Sequence, residues 1–203
     1  MEVILDHLLK RGKFLYSSDP DFFQNYSPLV VPFLNGTYTL SDYLKLDDGV
    51  LNTAFLSWMD HPDDTLSDLA KRFLHRRPFK SITFNETTKE KIPKLVALIN
   101  EVGYDSENYT AINSSYDLPY DFYQPSKNKH RTQIELMEPD GSLIELSKAS
   151  DLVASLAGQS KGDQRFFFPK EMLASQTSPS YTLFEEQIAQ FNQQIHNGAI
   201  KEN

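Results

Sequence analysis

A chain of 203 residues, 39% hydrophobic and 12% aromatic, is long enough to bury a sizeable core, and 24% charged residues suits a folded protein. Its formal net charge of −8 disfavours bulk nucleic-acid binding, which needs broad positive surface, so any anion site must be local. Zero cysteines exclude disulfides, thiolate chemistry and Cys-ligated zinc, while the absence of a long apolar run or a signal-peptide layout predicts a cytoplasmic protein without a membrane span.

Ile4, Leu8 and Leu15, flanked by Leu5 and Leu9, recur at helical spacing with "KRGK" on the wet side. No capping residue precedes them, which predicts a helix entering from an upstream segment. Residues 17–38 hold Pro20, Pro28, Pro32 and Gly36 and read as irregular connection pinned by Phe22, Phe23 and Phe33. Asp47 or Asp48 can then cap a helix bearing Val50, Leu51, Ala54, Phe55, Trp58 and Met59. After "HPDD", Asp63 or Asp64 can cap a second with Leu66, Leu69, Ala70, Phe73 and Leu74. The pair is a predicted helical hairpin.

From Lys80 the texture changes. "KSITF" alternates like a strand, Glu90 to Val102 reads as a helix stopped by Gly103, and "YTAIN" as another strand. "TQIELME" and "LIEL" around "PDGS" predict a β-hairpin. Ser147 or Ser150 caps a helix ended by Gly158, and "QRFFF" is a last strand before "PKEML". A polar linker leads to a capping box, Thr182 and Glu185, and a helix with Phe184, Ile188, Phe191 and Ile195 in one stripe, which must dock on this domain or on a partner.

No phosphate-binding glycine loop, dinucleotide fingerprint, nucleophile elbow or zinc-protease motif occurs. Asp60 to Asp64, "DHPDD", could gather a hard cation if its side chains converged, but a proline turn followed by an acidic cap explains it more simply. The basic run is harder to dismiss. Lys71, Arg72, Arg76, Arg77 and Lys80 place five of the chain's 20 Lys and Arg residues in ten positions, with His75 among them. Helix-end charge and salt bridges account for some; phosphates of a ligand would account for the rest. "KNKHR", with Lys127, Lys129 and Arg131, and the group Lys161, Arg165 and Lys170 would strengthen such a field if the chain brought them together. The aromatic stretch "YTAINSSYDLPYDFYQP" could stack a nucleobase or merely order its own loop.

Three blocks carry a family resemblance: "LSDYLKLDDGVLNTAFLSWMDHPDDTLSDLAKRFLHRRPFKSI", "YTAINSSYDLPYDFY" and "GDQRFFFPKEML". From about Leu5 to Leu173 the chain resembles the C-terminal part of bacterial HD-superfamily phosphohydrolases, relatives of the animal SAM- and HD-domain deoxynucleoside triphosphate triphosphohydrolase. Catalysis in that family uses an H…HD…D constellation that binds a divalent metal. Here His7, His61, His75, His130 and His196 are each followed by a residue other than aspartate, so no catalytic or metal residue is assigned to this chain.

The resemblance implies an assembly and regulatory lobe, inactive by itself. Its partners would be an upstream HD catalytic domain carrying the divalent metal, further copies of itself in a homo-oligomer, and a nucleotide such as dGTP, GTP or another dNTP. The expected nucleotide-binding residues are Arg76, Arg77 and Lys80, with Lys127, Lys129 and Arg131. A stand-alone nucleotide- or anion-binding module is the alternative. The expected fold class is α+β: a helical segment over 1–80, a lobe with a small mixed or antiparallel sheet over 81–173, and a linker with an amphipathic helix over 174–203.

Overall fold

Pro20 and Pro32 start helices rather than break them. In the computed structural model, which describes residues 1–117, 135–156, 161–174 and 179–202, both prolines occupy first-turn positions, where an absent N–H costs nothing. The segment expected to be irregular therefore contains α2 (Pro20–Tyr26), capped by Asp19, and α3 (Val31–Asn35), closed by Gly36 at φ 76°.

The other helices of the first half are α1 (Glu2–Tyr16), α4 (Leu40–Tyr43), α5 (Asp48–Trp58) and α6 (Asp64–Leu74). Asp47 caps α5 through the Val50 N–H and Asp63 caps α6 through the Leu66 N–H, so the hairpin is present with the first aspartate of each pair as its cap. Ile4, Leu8, Phe23, Phe55, Trp58, Leu66 and Leu69 are fully buried together. The Trp58 indole N–H donates to Ser27 Oγ at 3.1 Å, so the largest core side chain is also satisfied.

Gly12, expected on the wet face, is buried. A Cβ there would lie 2.8 Å from Trp58 Cη2. Gly12→Ala should thus destabilise the chain by up to about 2 kcal/mol: a gain of about 1 kcal/mol in helix propensity is set against an overpacking cost of about 1–3 kcal/mol on a fully buried ring. Urea unfolding monitored by circular dichroism measures it, and an unchanged or raised midpoint refutes the argument.

The rest of the chain is mixed α+β. β1 (Lys80–Phe84) is followed by a 3-10 turn and α7 (Ile92–Glu101), with Pro93 in its first turn and Gly103, φ 97°, beyond its end. Asp105 caps α8 (Ser106–Tyr109), which takes Tyr109 away from the expected "YTAIN" strand, so β2 runs Ala111–Asp117. The predicted hairpin is β3 (Glu135–Met137) and β4 (Leu143–Glu145), antiparallel with Leu136 opposite Ile144, its turn made by Gly141 at φ 84° and by Asp140 accepting from Ser142. α9 (Leu146–Ala149) and α10 (Asp151–Leu156) follow; Gly158, the expected stop, lies outside the described residues. β5 (Lys161–Phe168) leads into a second 3-10 turn, Lys170–Leu173.

The C-terminal helix differs from expectation at both ends. α11 (Pro179–Leu183) contains Thr182, and α12 (Glu185–Gln193) begins after Phe184, which makes no side-chain cap, so the cap position of α12 is Phe184 rather than Thr182. Ile195 belongs to β6 (Ile195–His196), which turns through Gly198 into β7 (Ala199–Ile200). Ile188 and Phe191 are fully buried against Leu95, Ile99, Phe168 and Met172, which answers where the stripe docks: on its own domain.

The chain divides into two compact units, Met1–Asn113 with Arg165–Asn203, and Ser114–Gln164. The strand order is β2-β5-β1-β7-β6, with β7 parallel to β1 and antiparallel to β6, while β3 and β4 form a separate two-stranded sheet. Within the larger unit, alternation along β5 joins two cores: Phe166 and Phe168 enter the cluster of α7 and α12, and Phe167 packs on the helical one.

Candidate functional site

The end of α6 shapes the basic corner. The Arg76 N–H donates to Phe73 O at 3.2 Å and the Arg77 N–H to Arg72 O at 2.8 Å, the paired bonds of a Schellman motif. Glycine ordinarily fills the left-handed position of that motif. Here it is Arg76, at φ 53°. A side chain in that conformation costs about 1–2 kcal/mol, so a long cation is being held where the backbone would prefer none.

Lys71, His75, Arg76, Arg77 and Lys80 are all exposed, and among the described residues none of these Lys and Arg side chains has an ion-pair partner. Beside them lies a groove of about 710 Å³ with an apolar floor of Leu5, Leu51, Phe73 and Leu74. Arg76, Asp48 and Asn52 also line it. The corner thus combines free positive charge with an adjoining surface able to take a ring or an apolar body.

Arg72 does different work. It is 5% exposed and spans two carboxylates: Nε donates to Asp68 at 2.6 Å and Nη1 to Glu171 at 3.1 Å. Its guanidinium also lies 5.6 Å from the Tyr109 ring centroid and 5.8 Å from that of Tyr104, and the Tyr109 hydroxyl donates to Asp68 at 2.9 Å. Burial by itself would lower the Arg72 pKa, but the hydrogen bonds it donates to Asp68 and Glu171 overcome that and raise it. Burial and the Asp68 charge push the Tyr109 phenol well above its ordinary range, and burial with Glu171 does the same more weakly for Tyr104. The local signal for Arg72 was an acid four residues earlier on the same helix. Glu171, 99 positions away, had none.

"DHPDD" is a helix start. Besides capping α6, Asp63 takes the Arg11 guanidinium, Nε to Oδ1 at 3.1 Å. Burial opposes ionisation, yet Arg11 and the Leu66 N–H hold its carboxyl below the usual carboxylate range. His61 is buried at 7%, edge-on to Phe22, with Nδ1 accepting from the Asp63 N–H at 2.9 Å. Among the described residues no group of three His, Asp or Glu side chains is arranged to hold a metal ion. His7, also buried, bonds the Thr110 carbonyl through Nε2 at 3.0 Å, and burial lowers its pKa.

Of the residues expected to bind a nucleotide, Arg76, Arg77 and Lys80 are each exposed, the first two just beyond α6 and Lys80 at the start of β1. Lys127, Lys129 and Arg131 lie outside the described residues, as does most of the aromatic stretch after Asp117. Arg165 contacts Ser81 Oγ on β1 at 3.4 Å, and Lys170 is exposed. No helix among the described residues is long and apolar enough to cross a membrane.

No protein-family model matches the chain. It is 35% identical over 178 residues to the Bacillus subtilis (strain 168) protein YwfO, described as uncharacterized, covering 87% of this chain and 41% of that protein. Its fold matches that of a phosphohydrolase (BT4208) from Bacteroides thetaiotaomicron VPI-5482 with a TM-score of 0.56 and 23% identity, over 83% of this chain and 43% of the other. The chain therefore spans about two-fifths of the length of the proteins it matches, and its fold is that of part of a phosphohydrolase.

Proposed function

We propose that this chain is an assembly and regulatory lobe of an HD-type, metal-dependent phosphohydrolase acting on deoxynucleoside triphosphates, and that the corner Arg76, Arg77 and Lys80 binds the phosphates of a nucleotide. The left-handed Arg76 carries the reading: strain is retained so that an arginine with no ion pair among the described residues can stand at the rim of an apolar-floored groove. Phosphate oxygens suit guanidinium forks, each charge-assisted contact contributing about 1.5–3 kcal/mol. Lys127, Lys129 and Arg131 would add to the same field.

The chain's own residues do not fit the catalytic metal. None of its five histidines precedes an aspartate, so the metal and the hydrolytic step belong, in this reading, to the remainder of a longer protein. The fold shared with a phosphohydrolase over less than half of that protein's length is consistent with this division.

Thermal denaturation with millimolar dGTP or GTP tests it, with tripolyphosphate to separate charge from base recognition. A rise in midpoint is expected from either nucleotide. A midpoint that neither nucleotide moves, both for this chain and for a relative's full-length protein, refutes the nucleotide site.

A further inference from the structure

The sequence holds two Asn-Gly dipeptides, Asn35-Gly36 and Asn197-Gly198, and the fold treats them differently. An asparagine followed by glycine is open to self-modification, because a glycine nitrogen has no Cβ beside it to hinder attack on the asparagine side-chain amide. That attack needs an amide carbon free to turn towards the nitrogen and a nitrogen not engaged as a donor.

Asn35 meets neither condition. It is the last residue of α3, and its Oδ1 accepts from the Thr37 N–H at 3.0 Å and from Thr37 Oγ1 at 2.6 Å. The Gly36 N–H donates to Pro32 O, so the nitrogen is tied into the helix end. Asn197 meets both. With φ 49° and 75°, Asn197 and Gly198 form a two-residue type I′ turn between β6 and β7, whose ladder pairs His196 with Ala199 and leaves the turn outside it. Both residues are exposed, and among the described residues neither the Asn197 side chain nor the Gly198 N–H makes a hydrogen bond.

We propose that Asn197 is a site of spontaneous deamidation, with water as the co-reactant. The Gly198 nitrogen gives its proton to solvent and bonds to Asn197 Cγ; the Cγ–Nδ2 bond breaks and ammonia leaves. Water then opens the cyclic imide at either carbonyl, and nothing is oxidised or reduced. Opening at one carbonyl gives aspartate on an unchanged backbone. Opening at the other gives isoaspartate, whose backbone runs through the former side chain and is longer by a carbon.

The two products differ in consequence. Aspartate tolerates a positive φ and adds only a charge at an exposed turn. A longer backbone does not fit a two-residue turn that sets Ile195 opposite Ile200. β7 joins β6 to β1, with the Thr83 N–H donating to Gly198 O at 2.9 Å, and Ile200 is 4% exposed in the core of α7 and α12. Isoaspartate therefore loosens that edge of the sheet, and the chain loses stability as it ages.

Ageing the protein in mildly alkaline buffer, followed by peptide mapping and enzymatic labelling of isoaspartate, reads the two sites separately. Asn197 should convert at least about tenfold faster than Asn35, roughly the factor for opening one net hydrogen bond. In urea, where turn and helix are absent, the two rates should converge. Aged wild type should melt below fresh protein. Asn197→Gly keeps the turn, because glycine accepts a positive φ, and should hold its midpoint through the same ageing. Equal rates in the folded chain, faster conversion at Asn35, or an aged wild type that melts with aged Asn197→Gly overturns the proposal.

Discussion

Arg72→Ala will lower the stability of the chain by about 3 kcal/mol, the largest loss expected from any single change in the basic run. Arg72 is 5% exposed and its guanidinium pairs with both Asp68 and Glu171; without it those carboxylates lose their shared cation, and Asp68 keeps the Tyr109 hydroxyl as a donor. Breaking a buried pair by removing one partner costs about 3–5 kcal/mol. The lower end applies because the Asp68 and Glu171 side chains are themselves 40% and 34% exposed. Packing of the guanidinium over Tyr104 and Tyr109 is lost as well. Glu171→Gln, which keeps an acceptor for Nη1, should cost far less, about 1 kcal/mol. Chemical denaturation of the two variants separates them. An Arg72→Ala protein within about 1 kcal/mol of wild type would mean that Arg72 is an ordinary helix-end cation.

That contrast shows where sequence reading stops. Asp47 and Asp63 could be read as caps because capping is local: a carboxylate, a backbone N–H three residues on, and an apolar face behind them. The proline-rich stretch misled because proline ends one helix and opens the next with equal ease, and only Asp19 before Pro20 marked which. Thr182 and Glu185 had capping-box spacing, yet the chain spends Thr182 in α11 and starts α12 three residues later. The stripe Ile188 and Phe191 was legible, but its destination was not, since Leu95, Phe168 and Met172 meet it only through tertiary packing.

The candidate site divides in the same way. A run of cations was visible at once, and its mixture of roles was not. Arg72 is absorbed into a network completed by a residue beyond β5, whereas Arg76, Arg77 and Lys80 remain exposed. Nor does sequence announce a positive φ at an arginine, because every propensity places glycine there. A positive φ separates Arg76 from its neighbours of equal charge.

Arg76→Gly should therefore act in opposite directions on fold and ligand. Glycine relieves the left-handed strain at a Schellman position, and among the described residues Arg76 has no ion pair to lose, so the empty chain should gain about 1 kcal/mol and a higher thermal midpoint. Repulsion from Arg77 and Lys80 is relieved too. The same change removes a phosphate contact of about 1.5–3 kcal/mol, and with Lys80→Ala the loss doubles to about 3–6 kcal/mol, a weakening of roughly 100-fold or more in nucleotide affinity. If the corner were only a helix end, glycine would still relieve the strain, less about 0.3–1 kcal/mol for the lost complement to the α6 dipole, and nucleotide would shift none of the three proteins. Thermal denaturation of wild type, Arg76→Gly and Arg76→Gly/Lys80→Ala, with and without dGTP, tells these apart. A variant that is more stable when empty and unresponsive to nucleotide shows that Arg76 is kept for its ligand at a cost to the fold. Nucleotide that leaves wild type unmoved, or that shifts both variants as far as wild type, shows the reverse.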